Sequence, residues 1–263
     1  MIKKTNRPLV IALAIIPLIL GFTACSSGPT VDGYGVSWWT RKLKVGLPSE
    51  KIEAIKALSE IRNEKSIEPL IDALLDEDDN VRSEAALALA EFDDKRAVEP
   101  LITSLKDKYP LVRKNAAYTL GILKHTQAVE HLIPLLDEKS ESVANSAVFA
   151  LGEIGDARAA EALINLYVSK CETRTYEESA ISSMYVDVGV EAKEALIQIG
   201  MPAVEPLIDA LKHENGLVRN KIADILERIC PNDDNLGSSY TAWKNWWREN
   251  KELYESIEWI DVK

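Results

Sequence analysis

The sequence predicts an all-α protein: a right-handed α-solenoid of about six short helical hairpins, closed at both ends by half-repeats rich in tryptophan. The segment "VRSEAALAL" at 81–89 recurs as "VRKNAAYTL" at 112–120 and as "VANSAVFAL" at 143–151, so the offset is 31 residues both times. The following segment keeps the same offset, with "VEPLITSL" at 98–105 and "VEHLIPLL" at 129–136. A fixed period of this length, with apolar residues at helical spacing, indicates stacked pairs of helices.

The first 24 residues are typical of an export signal rather than of a folded element. A basic start containing Lys3, Lys4 and Arg7 precedes the apolar run "PLVIALAIIPLILGFTA" at 8–24. The run ends at Cys25, and "FTAC" resembles the lipobox of bacterial lipoproteins, in which this cysteine carries the lipid.

This resemblance implies a lipoprotein signal peptide at 1–24, a lipidated, palmitate-bearing Cys25 and a linker at 25–36. The folded part is then expected outside the cytoplasm, lipid-anchored to the cell membrane or the outer membrane. The alternative is that residues 8–24 span the membrane uncleaved, although this proline-containing run is short for a hydrocarbon core of roughly 30 Å. Both interpretations place a membrane attachment at the N-terminal end.

Residues 37–48 are predicted to form an N-terminal capping half-repeat. One repeat length before Leu70 and Leu74 lie Trp39 and Leu43, which places "VSWWTRKL" at the second-helix position of a unit without a first helix. A terminal repeat has a neighbour on one side only, and an indole covers more apolar surface than a leucine side chain does. Trp39 is therefore a candidate structural cap.

Residues 49–230 carry the repeats. In one first helix Val81, Ala85 and Leu89 are spaced four residues apart, which predicts an amphipathic helix. The stretch "VFALGEIGDARAAEALINLY" at 148–167 contains Gly and Asp where one helix ends and the next begins. It is similar to the short HEAT-like repeats of the phycobilisome-lyase type. The resemblance implies the solenoid fold and, for function, either bilin-lyase activity or a scaffold.

One unit contains extra residues. From Val143 to the equivalent Val188 the separation is 45 residues instead of 31, which places an insertion at about 169–187. Insertions in a solenoid emerge on one face, which is often the binding face, so Tyr176 and Tyr185 are candidate partner-binding residues. A tolerated surface loop explains the same insertion equally well.

Residues 231–263 are predicted to form a tryptophan-rich capping helix and tail. Trp243 and Trp247 are four residues apart, like the core leucines of a second helix, and are the C-terminal candidates for structural caps. Trp38 and Trp246 lie off these positions. They are candidate partner-binding residues, unless a wide helix face buries them.

A column of glutamates occupies one position of five second helices: Glu68, Glu99, Glu130, Glu161 and Glu205. Such a column on one side of a solenoid is a candidate binding surface for a cationic partner. The alternative is structural, because Lys65, Arg96 and Arg158 each precede a glutamate by three residues, at helical pairing distance. On that interpretation Glu130 and Glu205 have the least compensated charge.

Arginines begin several of the first helices, at Arg82, Arg113 and Arg219. The helix dipole disfavours a cation in the first turn, so each arginine is expected to need an acidic neighbour. Asp76 and Asp107 lie one turn earlier, and they are predicted to pair with Arg82 and Arg113 as braces between repeats. No acid precedes Arg219 in the same way.

Composition and motifs exclude several classes of function. The net charge of −11 repels nucleic acid, whose binding depends on lysine and arginine. The three histidines lie in different units and no Cys–His cluster has zinc spacing, so no metal site, cofactor or catalytic residue is predicted. Cys171 and Cys230 are able to form one disulfide, but unpaired apolar fillers fit better, because Cys171 falls in a segment predicted to be irregular.

These observations predict a non-enzymatic function. The protein is expected to be a membrane-tethered scaffold of the cell envelope, whose concave surface, lined by the second helices, holds an unidentified envelope protein or peptide. Fold analogy and the lack of catalytic residues carry this prediction. The alternatives are a bilin-lyase-like protein that handles a chromophore, and a glycan or peptide binder that uses the terminal tryptophans.

Overall fold

A computed structural model describes residues 30–173, 188–232, 234 and 236–256 of the chain. Thirteen α-helices and no named strand lie in these ranges. Cys25, Tyr176, Tyr185 and the signal segment at 1–24 lie outside the described residues, so their predicted roles stay predictions. No described helix is long and apolar enough to cross a bilayer.

After one single helix, the described helices form six consecutive hairpins, here called units 1 to 6. The single helix is α1 (Val36–Val45), and the hairpins are α2 (Pro48–Ile61) with α3 (Ile67–Ala73), α4 (Asp79–Ala88) with α5 (Val98–Ser104), α6 (Pro110–Leu123) with α7 (Val129–Leu132), α8 (Glu141–Ile154) with α9 (Ala160–Thr173), α10 (Val188–Ile199) with α11 (Val204–Ala210), and α12 (Gly216–Ile229) with α13 (Tyr240–Ser256).

Local sequence signals begin and end these helices. Pro48 and Pro110 open α2 and α6 at the first helical position, where the missing N–H has no intrahelical role. Asp94 and Asp156 accept hydrogen bonds from backbone N–H groups two residues later, which caps the short 3₁₀ turns before α5 and α9. Helix α7 ends early because Pro134 has no N–H to donate, and the chain continues as a 3₁₀ turn.

The first helices of successive units pack directly on one another and form one layer, while the second helices lie beside them. Small residues make this close approach possible. A Cβ atom added to Gly121 in α6 would lie 2.6 Å from Cα of Ala150 in α8. One continuous apolar core extends from Trp39 to Trp247. The predicted α-solenoid of about six hairpins is confirmed.

Helix α9 contains the beginning of the extra residues. It has 14 residues, whereas the equivalent α5 has 7. Cys171 lies inside α9, so the expectation of an irregular segment at this position is wrong: the second helix simply continues to Thr173. Cys171 and Cys230 are both buried and unpaired. Burial raises the pKa of the Cys230 thiol to about 12, which keeps it protonated and unreactive.

Candidate interaction surfaces

The glutamate column lies on the second helices with all five side chains exposed. Three of its members form ion pairs with a cation of the following hairpin or helix. By N···O distance these are Glu68–Arg96 at 3.0 Å, Glu130–Arg158 at 3.2 Å and Glu205–Lys251 at 2.7 Å. Because these carboxylates already have cationic partners, the column is not a continuous free anionic surface.

The expected pairing within one helical turn is wrong. Arg96 contacts Glu68, which lies 28 residues earlier, rather than Glu99 three residues later, and Arg158 behaves in the same way in its own unit. The cause is a second acid. Asp94 accepts from Nε of Arg96 at 2.9 Å and from Nη2 at 2.8 Å, and this bidentate contact leaves Nη1 for the preceding unit.

The distribution of uncompensated charge is therefore different from the expected one. Glu130 and Glu205 were the predicted uncompensated members, but both have cationic partners. Hydrogen bonds from Lys251 and from the Trp247 indole lower the pKa of Glu205 below its usual range. Glu99 and Glu161 are the members with no ion pair to any residue in the described part of the chain.

A second set of charges joins neighbouring units along a different edge, and we call it the ladder. Each cation at the start of a first helix reaches the acid 25 residues later. By N···O distance the pairs are Lys51–Asp76 at 2.6 Å, Arg82–Asp107 at 2.8 Å and Arg113–Glu138 at 3.1 Å. The predicted braces between repeats are present. Each acid, however, lies in the turn before the first helix of the next unit, and not in the turn before the helix that carries the cation.

The preceding turn contributes its backbone instead. Nη1 of Arg82 donates to the carbonyl oxygens of Asp76 at 2.8 Å and Glu77 at 3.0 Å. Arg219, which had no predicted partner, makes the same contact with the carbonyl of His213 at 2.8 Å. These carbonyl oxygens lie in the turn just after the preceding second helix, and their partial negative charge makes a cation favourable there.

His213 and the described acids do not form a metal site. Nδ1 of His213 accepts from the backbone N–H of Asn215, and Nε2 lies 3.3 Å from Oε1 of Glu172. No group of three or more His, Cys, Asp or Glu side chains is arranged to hold a metal ion within the described ranges.

The N-terminal end carries an aromatic cluster. Trp39 is 2% exposed and packs into the core, whereas Trp38 is 41% exposed. The Trp38 ring stacks on Tyr34 with centroids 4.1 Å apart, and Nζ of Lys42 lies 5.3 Å from the Trp38 centroid. One indole therefore closes the core, while its neighbour stays 41% exposed beside Tyr34 and Lys42.

The three tryptophans of α13 are covered. Trp243 is fully buried, and Trp246 and Trp247 are 8% and 6% exposed. The indole N–H of Trp246 donates to Asp234 at 3.0 Å, and its ring packs edge-on against Trp243 with centroids 5.6 Å apart. Trp246 was a candidate for partner binding, but its burial leaves almost no indole surface for a ligand. One wide face of α13 holds all three rings.

The first-helix layer exposes apolar side chains that the sequence prediction missed. Leu87, Tyr118 and Phe149 occupy the same position of α4, α6 and α8, and Ile122 lies one turn after Tyr118. Leu87, Tyr118 and Ile122 are 40%, 38% and 38% exposed. The Tyr118 and Phe149 rings stack with centroids 5.1 Å apart. We call these four side chains the apolar column; its signal was the 31-residue recurrence of an apolar residue two positions before the core leucine.

Comparison with known proteins agrees with this architecture. A family model for HEAT repeats matches residues 43–121 and 98–184, which together include more than half of the chain. The chain belongs to the HEAT-repeat family. The HEAT-like repeats expected from the sequence are confirmed.

Solved HEAT-like structures show the same fold. The complex of CpcE and CpcF of phycocyanin lyase from Nostoc sp. PCC7120 is 21% identical with a TM-score of 0.53, and the match covers 90% of this chain and 92% of that one. An engineered protein is 24% identical with a TM-score of 0.51, covering 74% of this chain and 96% of that one. No curated protein sequence matches the chain. At these identities the likeness shows the fold alone.

Proposed function

We propose that the protein is a membrane-tethered HEAT-repeat scaffold of the cell envelope that binds a protein partner through the apolar column. The supporting observation is the exposure of Leu87, Tyr118 and Ile122 on consecutive units. An apolar patch of this kind on a solenoid is typical of a protein-binding surface. The net charge of −11 favours a partner with basic residues around its apolar contact.

This proposal moves the partner from the second helices, where the sequence indicated it, to the first-helix layer. The reason is that the second-helix layer exposes carboxylates that mostly have partners, whereas the first-helix layer exposes apolar side chains. Three of five glutamates on the second helices are already paired, and such exposed pairs contribute little to binding energy. Half-exposed aromatic and aliphatic side chains lose more solvent-accessible apolar surface on binding.

The membrane tether is proposed from the sequence at 1–25. Its test is fractionation of cells that express the full chain or Cys25→Ser. We expect the wild-type protein in the membrane fraction and expect it to incorporate a metabolically supplied, labelled fatty acid. Both results should be lost in Cys25→Ser. Unlabelled protein that stays in the membrane fraction regardless of Cys25 would favour the uncleaved span at 8–24 instead.

Photo-crosslinking in intact cells tests the binding surface. A photoreactive phenylalanine analogue replaces Tyr118 in the full chain, and the matched control carries it at Glu99, which is exposed on the second-helix layer. We expect one discrete protein adduct at 118 and none at 99. A second substitution, Leu87→Asp, should abolish the adduct without changing the melting temperature. Equal labelling at 99 and 118, or an adduct that survives Leu87→Asp, would contradict the proposal.

A bilin-lyase-like function is the second candidate, supported by the shared fold with the CpcE and CpcF complex. Its test is the visible absorbance of a free open-chain bilin mixed with the purified full chain. A saturable change in the spectrum, combined with no protein adduct at position 118, would favour this candidate over the scaffold.

A further inference from the structure

The ladder has a repeating geometry on its carbonyl side. In three units one guanidinium nitrogen, Nη1, donates to the carbonyls of two consecutive residues in the turn before the first helix. By N···O distance these contacts are Arg82 to Asp76 at 2.8 Å and Glu77 at 3.0 Å, Arg113 to Asp107 at 2.7 Å and Lys108 at 3.3 Å, and Arg219 to His213 at 2.8 Å and Glu214 at 2.7 Å. We call such a pair of carbonyls a cradle.

In the turn before α8, Glu138 and Lys139 occupy the sequence positions of the two cradle residues. Its N-cap residue Ser140 has φ −81° and ψ 105°, close to the −93° and 124° of Tyr109 and the −75° and 117° of Asn215 in the equivalent turns. The ladder position of this unit is Ala144, which has no donor. Among the hydrogen bonds of the described residues, Arg113 reaches the carboxylate of Glu138, and none joins a side chain to the carbonyl of Glu138 or Lys139.

A cavity of about 440 Å³ opens beside Ala144. Its apolar walls include Leu136, Leu166 and Val188, which suit the methylene stem of a long side chain. Its charged side chains are those of Asp137, Glu138, Glu141, Lys139 and Lys170. Because Arg113 already pairs with Glu138, the carboxylates and cations balance, and the two carbonyl oxygens are the groups that attract a further cation.

The chain itself indicates which cation fits a cradle. Unit 1 has Lys51 at the ladder position, and its ammonium group contacts only the carboxylate of Asp76 among the described residues. Each of the three arginines donates to two carbonyls. Arg82 and Arg113 also donate to the carboxylate of the acid of the next unit. A planar guanidinium presents several donors in fixed directions, whereas an ammonium is a single point of charge.

We propose that the cradle of Glu138 and Lys139 binds an arginine side chain of the partner protein. In the preceding unit Asp107 accepts Arg82 on its carboxylate and Arg113 on its carbonyl. Glu138 accepts Arg113 on its carboxylate, so an arginine from outside completes the same arrangement one unit further. Only the source of the arginine rests on the proposed scaffold function; the affinity of the cradle for a guanidinium group does not.

The first test supplies the arginine within the chain. Ala144→Arg is compared with Ala144→Gln, which has a polar side chain without a guanidinium group. We expect the full-length Arg variant to melt about 3 °C higher than the Gln variant, because it gains charge-assisted hydrogen bonds to two carbonyls. Equal melting temperatures would overturn the proposal, whatever the outcome of crosslinking at position 118.

The second test supplies the arginine from solution. The full chain in mild detergent is titrated with N-acetyl-arginine methylamide, and N-acetyl-lysine methylamide is the control. We expect backbone amide shifts in the NMR spectrum confined to residues near 136–144 for the arginine probe, with none for the lysine probe. Ala144→Arg should abolish these shifts. If that variant does not fold, Ala144→Leu fills the cavity and serves as the blocked form.

Two further results of the titration would overturn the proposal. Shifts that persist in the blocked form would place arginine binding elsewhere. Equal shifts with the lysine probe would show that the cradle does not select a guanidinium group. Loss of the adduct at position 118 in Ala144→Arg, with a melting temperature no lower than that of the wild type, would support a single partner that contacts both the apolar column and the cradle.

Discussion

The first three hairpins and the last three are held together by different interactions. The ladder cations of units 1 to 3 form partly buried pairs that join units 1 to 4, and the Arg82 side chain is only 9% exposed. In units 4 and 5 the ladder positions are Ala144 and Gly189, which carry no charge. The ion pair between Arg228 and Glu194 is open to solvent, with side chains 46% and 52% exposed. The same fold therefore does not require the same electrostatic brace in every unit.

From α6 onwards, close backbone packing also holds neighbouring first helices together. A Cβ atom added to Gly121 would lie 2.6 Å from Cα of Ala150, and one added to Gly152 would lie 3.0 Å from Cβ of Ala195. Helices that approach so closely gain dispersion contacts along their length. The comparison teaches that a HEAT-type stack is stabilised by ion pairs in some units and by close packing of small residues in others, and that the α6–α8 contact has both.

Gly121→Ala should have the largest effect on this comparison. The new methyl group overlaps the backbone of α8, so we expect the free energy of unfolding to fall by about 2–3 kcal/mol. Urea denaturation of the full chain measures this change. The exposed neighbour Ile122→Ala is the control and should have a much smaller effect. A Gly121→Ala protein as stable as wild type would show that the α6–α8 contact is not close-packed.

Arg82→Met and Arg219→Met separate the two halves of the ladder contact. Both arginines donate to carbonyls, but only Arg82 also pairs with an acid, Asp107. We expect the free energy of unfolding to fall by about 2 kcal/mol in Arg82→Met and by about 1 kcal/mol in Arg219→Met. Equal losses in urea denaturation would mean that the carboxylate contributes nothing.

Acid should weaken units 1 to 3 through Asp107. Burial alone would raise the pKa of Asp107, but hydrogen bonds from Arg82 and from the N–H of Tyr109 outweigh it and hold the pKa below its usual range. A depressed carboxyl pKa stabilises the folded state above the unfolded pKa, and this contribution is lost as pH falls through the folded pKa. The melting temperature should therefore drop between pH 5 and pH 2, in the region of roughly the unfolded pKa of 3.9 and below.

The control for this pH dependence is Arg82→Met. Without the guanidinium group the pKa of Asp107 is lowered less, so protonation costs less stability at that site. We expect the melting temperature of Arg82→Met to fall less on acidification than that of the wild type. Parallel curves for the two proteins would assign the acid sensitivity to other carboxylates.

Arg228→Gln should have the smallest effect. The pair with Glu194 is solvent-exposed on both sides, and such pairs contribute less than about 0.5 kcal/mol. We expect a change in urea midpoint within the experimental error of wild type. A loss of unfolding free energy as large as that of Arg82→Met would remove the distinction between the first three and the last three hairpins.

Much of the fold follows from local patterns. The spacing of Val81, Ala85 and Leu89 defines a helix face, and all three side chains are fully buried. Alignment by one repeat length placed Trp39 at a leucine position, and it is buried like the leucines it aligns with. Periodicity succeeds here because the amphipathic face of a helix is a property of residues three and four apart.

The same reasoning from sequence periodicity predicts less about the candidate interaction surfaces. Glu68 and Glu130 were assigned by position in the repeat, but their partners depend on the orientation of guanidinium groups held by Asp94 and Asp156. Tyr118 belongs to an apolar recurrence that is visible in the sequence. Its 38% exposure, with its ring stacked on Phe149 of the next first helix, is visible only in the assembled stack.

The sequence by itself determined the helical repeat, its period, the acidic surface, the indoles at both ends and the prediction of a lipidated Cys25. The tertiary structure decided which acid each ladder cation meets and which apolar side chains face solvent. The physical reason is the stacking of units. It brings Asp107, 25 residues away, to within 2.8 Å of Arg82, while the nearer Asp76 offers its backbone carbonyl rather than its carboxylate.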